Sequence, residues 1–293
     1  MYKKILLTLD GSRLAERVLP YVAELAAGTG AHVTVFHVDT PNDAPPVTEE
    51  YAVPSDDYMT EISARLAWLG APSVDGARRS GDAHTQIVGY AEDNGYDLVA
   101  MATHGESGLG RWAFGSTADK VLHTSNLPMF LLRPSELANR DGKRIKCLVA
   151  PLDGSILAEI AIPVVADLAQ RLAVPVSLVR AIPLPGTLAA GPEPYGFDPR
   201  VDAAVEAAAE AYLNETGKHL QAKGVEAATK LKRGYPPNQI IAHAESIPGA
   251  VVVMSSHGRS GVGRWILGSV ADRVLRSGAA PVLLLRADSD RKD

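Results

Sequence analysis

Two tandem α/β domains are predicted, each a doubly wound, five-stranded, mostly parallel sheet with helices on both faces. Three observations carry this. Residues 104–133 and 257–286 align without gaps at an offset of 153 and share 17 of 30 residues, so the chain contains a duplicated unit. Each copy alternates short apolar runs with helical patterns, which is how βαβ units and parallel sheets are written in sequence. The length of 293 residues suits two domains at roughly 150 residues each. The N-terminal pieces align at an offset of 143, so the second copy carries ten more residues between 182 and 233. The repeat is far longer than the ~20–50 residues of a solenoid unit. Domains are expected at 1–138 and 143–293, joined through the polar stretch 134–144.

Each copy opens with a short apolar run, 5–9 or 147–152, bounded by Asp-Gly-Ser and read as a buried strand. Helical patterns over 14–27 and 157–172 follow, with Ser12 and Ser155 as N-caps. Runs rich in β-branched residues predict second strands at 33–38 and 176–182. Pro-rich loops at 39–57 and 183–200 lead to helices over 58–69 and 201–222, the latter rich in alanine, a strong helix former. Strands are expected at 77–80 and 229–233, with helices from Thr85 and Pro237. The most apolar strands, 97–103 and 250–256, precede Gly-rich loops, helices from Ser116 and Ser269, and final strands at 129–133 and 282–286. Right-handed crossovers then place helices on both faces. Ligands of such sheets bind beyond the carboxyl ends of the strands, at the switch point. Asp10 and Asp153, Val38 and Ala181, and the Gly-rich loops meet there.

Composition narrows the function classes. Net charge is −5, which lacks the footprint of a general nucleic-acid binder. Cys147 is the single cysteine, so no internal disulfide forms, and its apolar setting reads as core. The N-terminal apolar run stops at Asp10, too short for a signal peptide. No stretch approaches the ~18 apolar residues of a membrane span. A cytoplasmic protein without membrane or nucleic-acid partners is expected.

The loops run Ala102-Thr-His-Gly105, nine residues, Gly115-Ser116, and Ser255-Ser-His-Gly258, nine residues, Gly268-Ser269. Glycine lets backbone N–H groups approach a phosphate, and a helix N-terminus adds unpaired N–H groups and a positive dipole end. Other phosphate and nucleophile motifs fail on spacing. A P-loop would need Lys and Ser/Thr where Arg111-Trp112 and Arg264-Trp265 stand. The dinucleotide fingerprint follows a first strand, not a late one. Leu109 occupies the last glycine of a nucleophile elbow.

These residues resemble the universal stress proteins, whose nucleotide-binding members carry G-x2-G-x9-G-[S/T] after the fourth strand and an Asp at the end of the first. The resemblance covers 1–133 and 145–286, with Ala102 and Ser255 in place of the motif's first glycine. It implies ATP, with Mg²⁺, as ligand. Asp10 and Asp153 would contact the adenosine, and Val38 and Ala181 the adenine. Gly105, Gly115 and Ser116, with Gly258, Gly268 and Ser269, would hold the phosphates. Ala102, Thr117, Ser255 and Val270 complete the set. It implies no fast enzyme; any ATP turnover would be slow.

Plainer roles stand beside these. Asp10 and Asp153 suit a strand-to-helix turn. His104 and His257 lack metal-ligand spacing and read as loop-orienting or solvated. Ser107 and Ser260 lack a base partner. Trp112 and Trp265 read as packing anchors, and the Asp119/Lys120 and Asp272/Arg273 pairs as solvated helix face. A ligand-free interaction scaffold and a weak ATPase are the alternatives to a nucleotide-binding signalling module. Gly115→Val and Gly268→Val are expected to block one phosphate site each and leave the fold intact. The apolar last strands should pair antiparallel, making the chain a built-in dimer that could self-associate further, because an uncovered apolar edge invites aggregation.

Overall fold

The last strands do pair. In the computed structural model, which describes residues 2–40, 55–103, 115–133, 144–184, 199–257 and 267–286, strands of both copies form one sheet. The first copy contributes β1 (Lys4–Thr8), β2 (His32–Asp39), β3 (Ser73–Ser80), β4 (Leu98–Ala102) and β5 (Met129–Leu132). The second contributes β6 (Cys147–Pro151), β7 (Val176–Ile182), β8 (Ala227–Arg233), β9 (Ala250–Ser255) and β10 (Val282–Leu285). The order is β3-β2-β1-β4-β5-β10-β9-β6-β7-β8. Neighbours within each copy are parallel, whereas β5 and β10 run antiparallel with Leu283 opposite Phe130.

Alternation sets the two faces. Phe130, Leu132, Leu283 and Leu285 enter one core, and Met129, Leu131, Val282 and Leu284 the other. The first core is covered by α1 (Leu19–Thr29), α2 (Asp56–Trp68), α5 (Ile156–Glu159), α6 (Ala161–Leu172) and α7 (Pro199–Ala222). The second lies under α3 (Ala83–Asp93), α4 (Ser116–Thr124), α8 (Pro236–Glu245) and α9 (Ser269–Ser277). Both cores run across the junction of the copies.

Three expectations need correction. The helices foreseen over 14–27 and 157–172 are each broken: a 3₁₀ turn (Ala15–Val18) precedes α1, and α5 precedes α6. Pro20 and Pro163 explain it, since neither can donate an N–H to the carbonyl four residues earlier. Strands β3 and β8 begin earlier than expected, at Ser73 and Ala227. They are edge strands without a buried residue to mark them, and their pairing to β2 and β7 extends them. Asp119 is not simply solvated: Arg276 bridges Asp272 of its own helix (2.6 Å) and Asp119 of α4 (2.7 Å), joining the two copies.

Other bonds cross the same junction. Arg133 Nη1 donates to the carbonyl of Arg276 (3.0 Å), and Arg286 Nη2 donates to that of Leu122. Burial pushes the Arg286 guanidinium down to about 10. Glu24 on α1 accepts the backbone N–H groups of Arg144 (2.5 Å) and Ile145 (2.9 Å), just ahead of β6. Helices α1 and α6 approach at Gly28, where a Cβ would lie 2.6 Å from Leu172 Cδ2. The expected domain boundary between 138 and 143 lies outside the described residues. Cys147 is buried, as its apolar setting implied.

Candidate functional site

In each copy the sheet order reverses beside the first strand: β1 lies between β2 and β4, and β6 between β7 and β9. The crevice at their carboxyl ends is the switch point. It is built first by the Asp-Gly-Ser turns. Asp10 Oδ1 accepts the N–H (3.0 Å) and hydroxyl (2.7 Å) of Ser12; Asp153 Oδ1 does the same for Ser155 (2.9 and 2.6 Å). Each serine then accepts the N–H three residues on, Ala15 or Ala158. Gly11 and Gly154 supply the positive φ, 92° and 82°, that the turn requires. Both aspartates therefore shape the turn, as the plainer reading held, while standing at the crevice.

A second feature repeats in both copies. Tyr58 donates to Glu16 (3.3 Å), and Tyr212 to Glu159 (2.9 Å), clamping α2 or α7 to the segment after the turn. Burial and the adjacent carboxylate raise both phenols well above the ordinary tyrosine range. Glu16 and Glu159 sit at the 143 offset, each followed by a tyrosine in the next long helix; that recurrence could have flagged the pair.

The third element is a helix start. Gly115 N–H is bonded to Thr103 O (2.7 Å) and Gly268 N–H to Ser256 O (2.8 Å), so α4 and α9 spring directly off the ends of β4 and β9. Neither is capped by a side chain, unlike α2, α3 and α5, which Ser55, Asp82 and Ser155 cap. Among the described residues, no side-chain oxygen caps the first N–H groups of α4 and α9, which start at the crevice. A Cβ on Gly268 would sit 3.0 Å from Ser256 O. Gly268 thus lies close against the strand–helix junction, so a side chain there would press on the Ser256 carbonyl as well as on the site.

In the second copy these parts enclose a pocket of about 190 Å³. Asp153, Ala181, Ser255, Gly268, Ser269 and Val270, singled out from sequence, all line it. Sequence reasoning missed the apolar walls, Leu152, Val179, Ile240 and Met254, which look like ordinary core residues, and also Ser256. His257 lines the pocket too; its Nδ1 lies 3.0 Å from Ser256 Oγ, and its Nε2 is buried with no hydrogen-bond partner among the described residues. In the first copy Asp10, Val38, Ala102, Gly115, Ser116 and Thr117 occupy the corresponding strand and helix ends. Gly105, Gly258, His104, Ser107, Ser260, Arg111, Arg264, Trp112 and Trp265 lie outside the described residues. Among the described residues, no cluster of three His, Cys, Asp or Glu is placed to hold a metal ion, and no helix is long and apolar enough to cross a membrane.

The model of the universal stress protein family matches twice, over residues 1–133 and 145–286. A universal stress protein of Mycobacterium tuberculosis is 25% identical over 301 residues, covering 96% of each chain. The universal stress protein A homolog 1 of Coxiella burnetii is 30% identical over 135 residues, 42% of this chain and 91% of its own. Among solved structures, a universal stress protein from Archaeoglobus fulgidus superposes with a TM-score of 0.67 at 20% identity, covering 97% of this chain and 98% of its own.

Proposed function

The chain belongs to the universal stress protein family, and we propose that it is a nucleotide-binding stress or signalling module that takes ATP at the carboxyl end of the sheet. The observation that carries this is the second copy's pocket, where residues from three strand ends and an uncapped helix start converge. The apolar wall of Val179, Ala181, Ile240 and Met254 suits the flat face of a base. Asp153, at the turn, is placed for ribose hydroxyls, which a carboxylate accepts well. The N–H groups of Ser269 and Val270, with the Ser269 hydroxyl and the positive end of the α9 dipole, suit phosphate oxygens. The same parts around Asp10, Val38 and Ser116 make a second site, with Ala102 and Thr117 beside it. Gly105 and Gly258 belong to the phosphate loops by position in the motif. Mg²⁺ would accompany the triphosphate, held largely by the nucleotide's own oxygens.

The chain supplies binding and orientation rather than turnover. Asp153 and His257 line the pocket, and in this reading both take structural roles: Asp153 accepts from Ser155, and His257 lies beside Ser256. The antiparallel junction of β5 and β10 makes the chain its own pair of domains, and further self-association of two such chains in the cytoplasm is part of the proposal. Mass spectrometry of small molecules released from purified, denatured protein tests the reading, together with calorimetry using ATP, ADP and GTP. Released adenine nucleotide, or saturable heat with ATP, is expected. Neither signal would leave the empty interaction scaffold as the better account.

A further inference from the structure

We propose that Arg276 is a charge-balancing residue shared by the two sites, which sets how strongly both hold phosphates by neutralising a carboxylate in the first turn of each phosphate-facing helix; this rests on the nucleotide reading above. Asp119 stands in the first turn of α4 and Asp272 in that of α9, at the 153-residue offset. The N–H of Asp119 closes its turn on the carbonyl of Gly115, and that of Asp272 on the carbonyl of Gly268, both at 2.9 Å. Each carboxylate is therefore rooted about 6 Å along the axis from the glycine that opens its helix.

An acidic residue in a first turn suits the helix dipole, but it repels an anion held by the N–H groups of that same turn. Arg276 answers both carboxylates. Its Nε donates to Asp272 Oδ1 (2.6 Å) within α9, and its Nη2 donates to Asp119 Oδ1 (2.7 Å) across the junction. Arg133 donates to the Arg276 carbonyl (3.0 Å) and so holds the last turn of α9 against the first copy. One guanidinium from the second copy thus reaches the first turns of both helices. The matching position in the first copy is His123, an imidazole rather than a fixed cation. Its Nδ1 lies 2.7 Å from the backbone carbonyl of Asp119 in its own helix and 3.8 Å from Asp119 Oδ2.

The charge count at the junction is one guanidinium against two carboxylates, and removing Arg276 leaves both carboxylates facing any bound phosphate. All three side chains are more than a third exposed, so solvent keeps the effect moderate. For a triphosphate about one to two helical turns away, the loss amounts to about three- to tenfold in affinity at low ionic strength, and it fades as salt shortens the screening length. It also grows with the number of phosphate charges, a dependence that a loss of packing does not produce.

Titration of the intact chain with ATP and with AMP, at low and at high salt, tests the inference. Calorimetry gives the affinities, and the amide resonances of Ser116 and Thr117, and of Ser269 and Val270, separate the two sites. Arg276→Ala should weaken ATP at both sites by about three- to tenfold at low salt, with a smaller loss for AMP and a smaller loss at high salt. Arg276→Lys should keep most of the affinity. Adding Asp119→Asn and Asp272→Asn to Arg276→Ala should restore it. The same two Asn substitutions in the wild-type background should tighten ATP; thermal melts accompany each variant, and this pair decides should Arg276→Ala not fold. Unchanged ATP affinity in Arg276→Ala, an equal loss for ATP and AMP, a loss confined to one copy's amides, or no recovery with the Asn pair would overturn the inference and leave nucleotide binding intact. A wild-type chain that takes up neither nucleotide would remove both.

Discussion

Replacing Phe130 with alanine probes the junction at its centre. Phe130 is fully buried, faces Leu283 across the antiparallel pair, and tilts against the Tyr21 ring with centroids 6.0 Å apart. Truncating a fully buried Phe costs about 3–5 kcal/mol, transfer and cavity together. Relaxation is limited here, because the site is walled by the neighbouring strands of both copies and by α1. A loss of that size is about a fifth or more of the ~5–15 kcal/mol that holds a typical domain together. Urea unfolding followed by circular dichroism should show a lower midpoint with little change in slope, the mark of lost stability rather than a changed denatured state. Hydrogen exchange adds the discriminating readout: protection of the β10 amides should fall along with that of β5, although the substitution lies in the other copy. A loss under ~1 kcal/mol, or unchanged protection in β10, would refute the claim that the two copies share one continuous core.

Three further outcomes are expected. Glu24→Ala removes the acceptor of the part-buried N–H groups of Arg144 and Ile145; a stability loss of about 1–3 kcal/mol in denaturant melts is expected, and a neutral effect would show that the contact is dispensable. Arg276→Ala removes ion pairs to Asp119 and Asp272 in which every side chain is more than a third exposed, so the loss should stay at or below about 1 kcal/mol and shrink further in high salt; a larger, salt-insensitive loss would contradict the assignment. Burial raises the phenols of Tyr2, Tyr21, Tyr58, Tyr96 and Tyr212 above the ordinary 10.0, Tyr96 to about 12. Because the folded values are the higher ones, this contribution to stability is full below pH 10 and is lost as pH climbs toward 12 and beyond. Ultraviolet titration of tyrosinate should therefore show a late cooperative rise coincident with unfolding, whereas smooth ionisation near pH 10 by every tyrosine would argue against burial.

The duplicated segment, the strand–helix alternation and the apolar last strands were legible because each rests on local pattern. The helix starts near Ser116 and Ser269 were legible, and β7 was legible to the residue, since glycine and β-branched runs punctuate them sharply. Helix breaks were lost because Pro20 and Pro163 lie inside otherwise good helical periodicity. The beginnings of β3 and β8 were lost because an edge strand needs a neighbour's hydrogen bonds more than an apolar face. Arg276 could not be matched to Asp119 from sequence: the two are 157 residues apart and meet only through the β5–β10 pairing. At the site, the polar residues were legible from the motif, whereas the wall residues Val179, Ile240 and Met254 were hidden among core positions of the same chemistry.

The central claim is that the crevice bounded by Asp153, Ala181 and the start of α9 holds an adenine nucleotide. Backbone amide resonances of the isotopically labelled chain, followed by nuclear magnetic resonance as ATP is added, test it most directly. The expected result is saturable shifts concentrated at Ala181, Gly268, Ser269 and Val270, with Asp153 and Ser155 following and the α1–α6 face unmoved. Shifts absent at saturating ATP, or scattered over surfaces away from the strand ends, would contradict it.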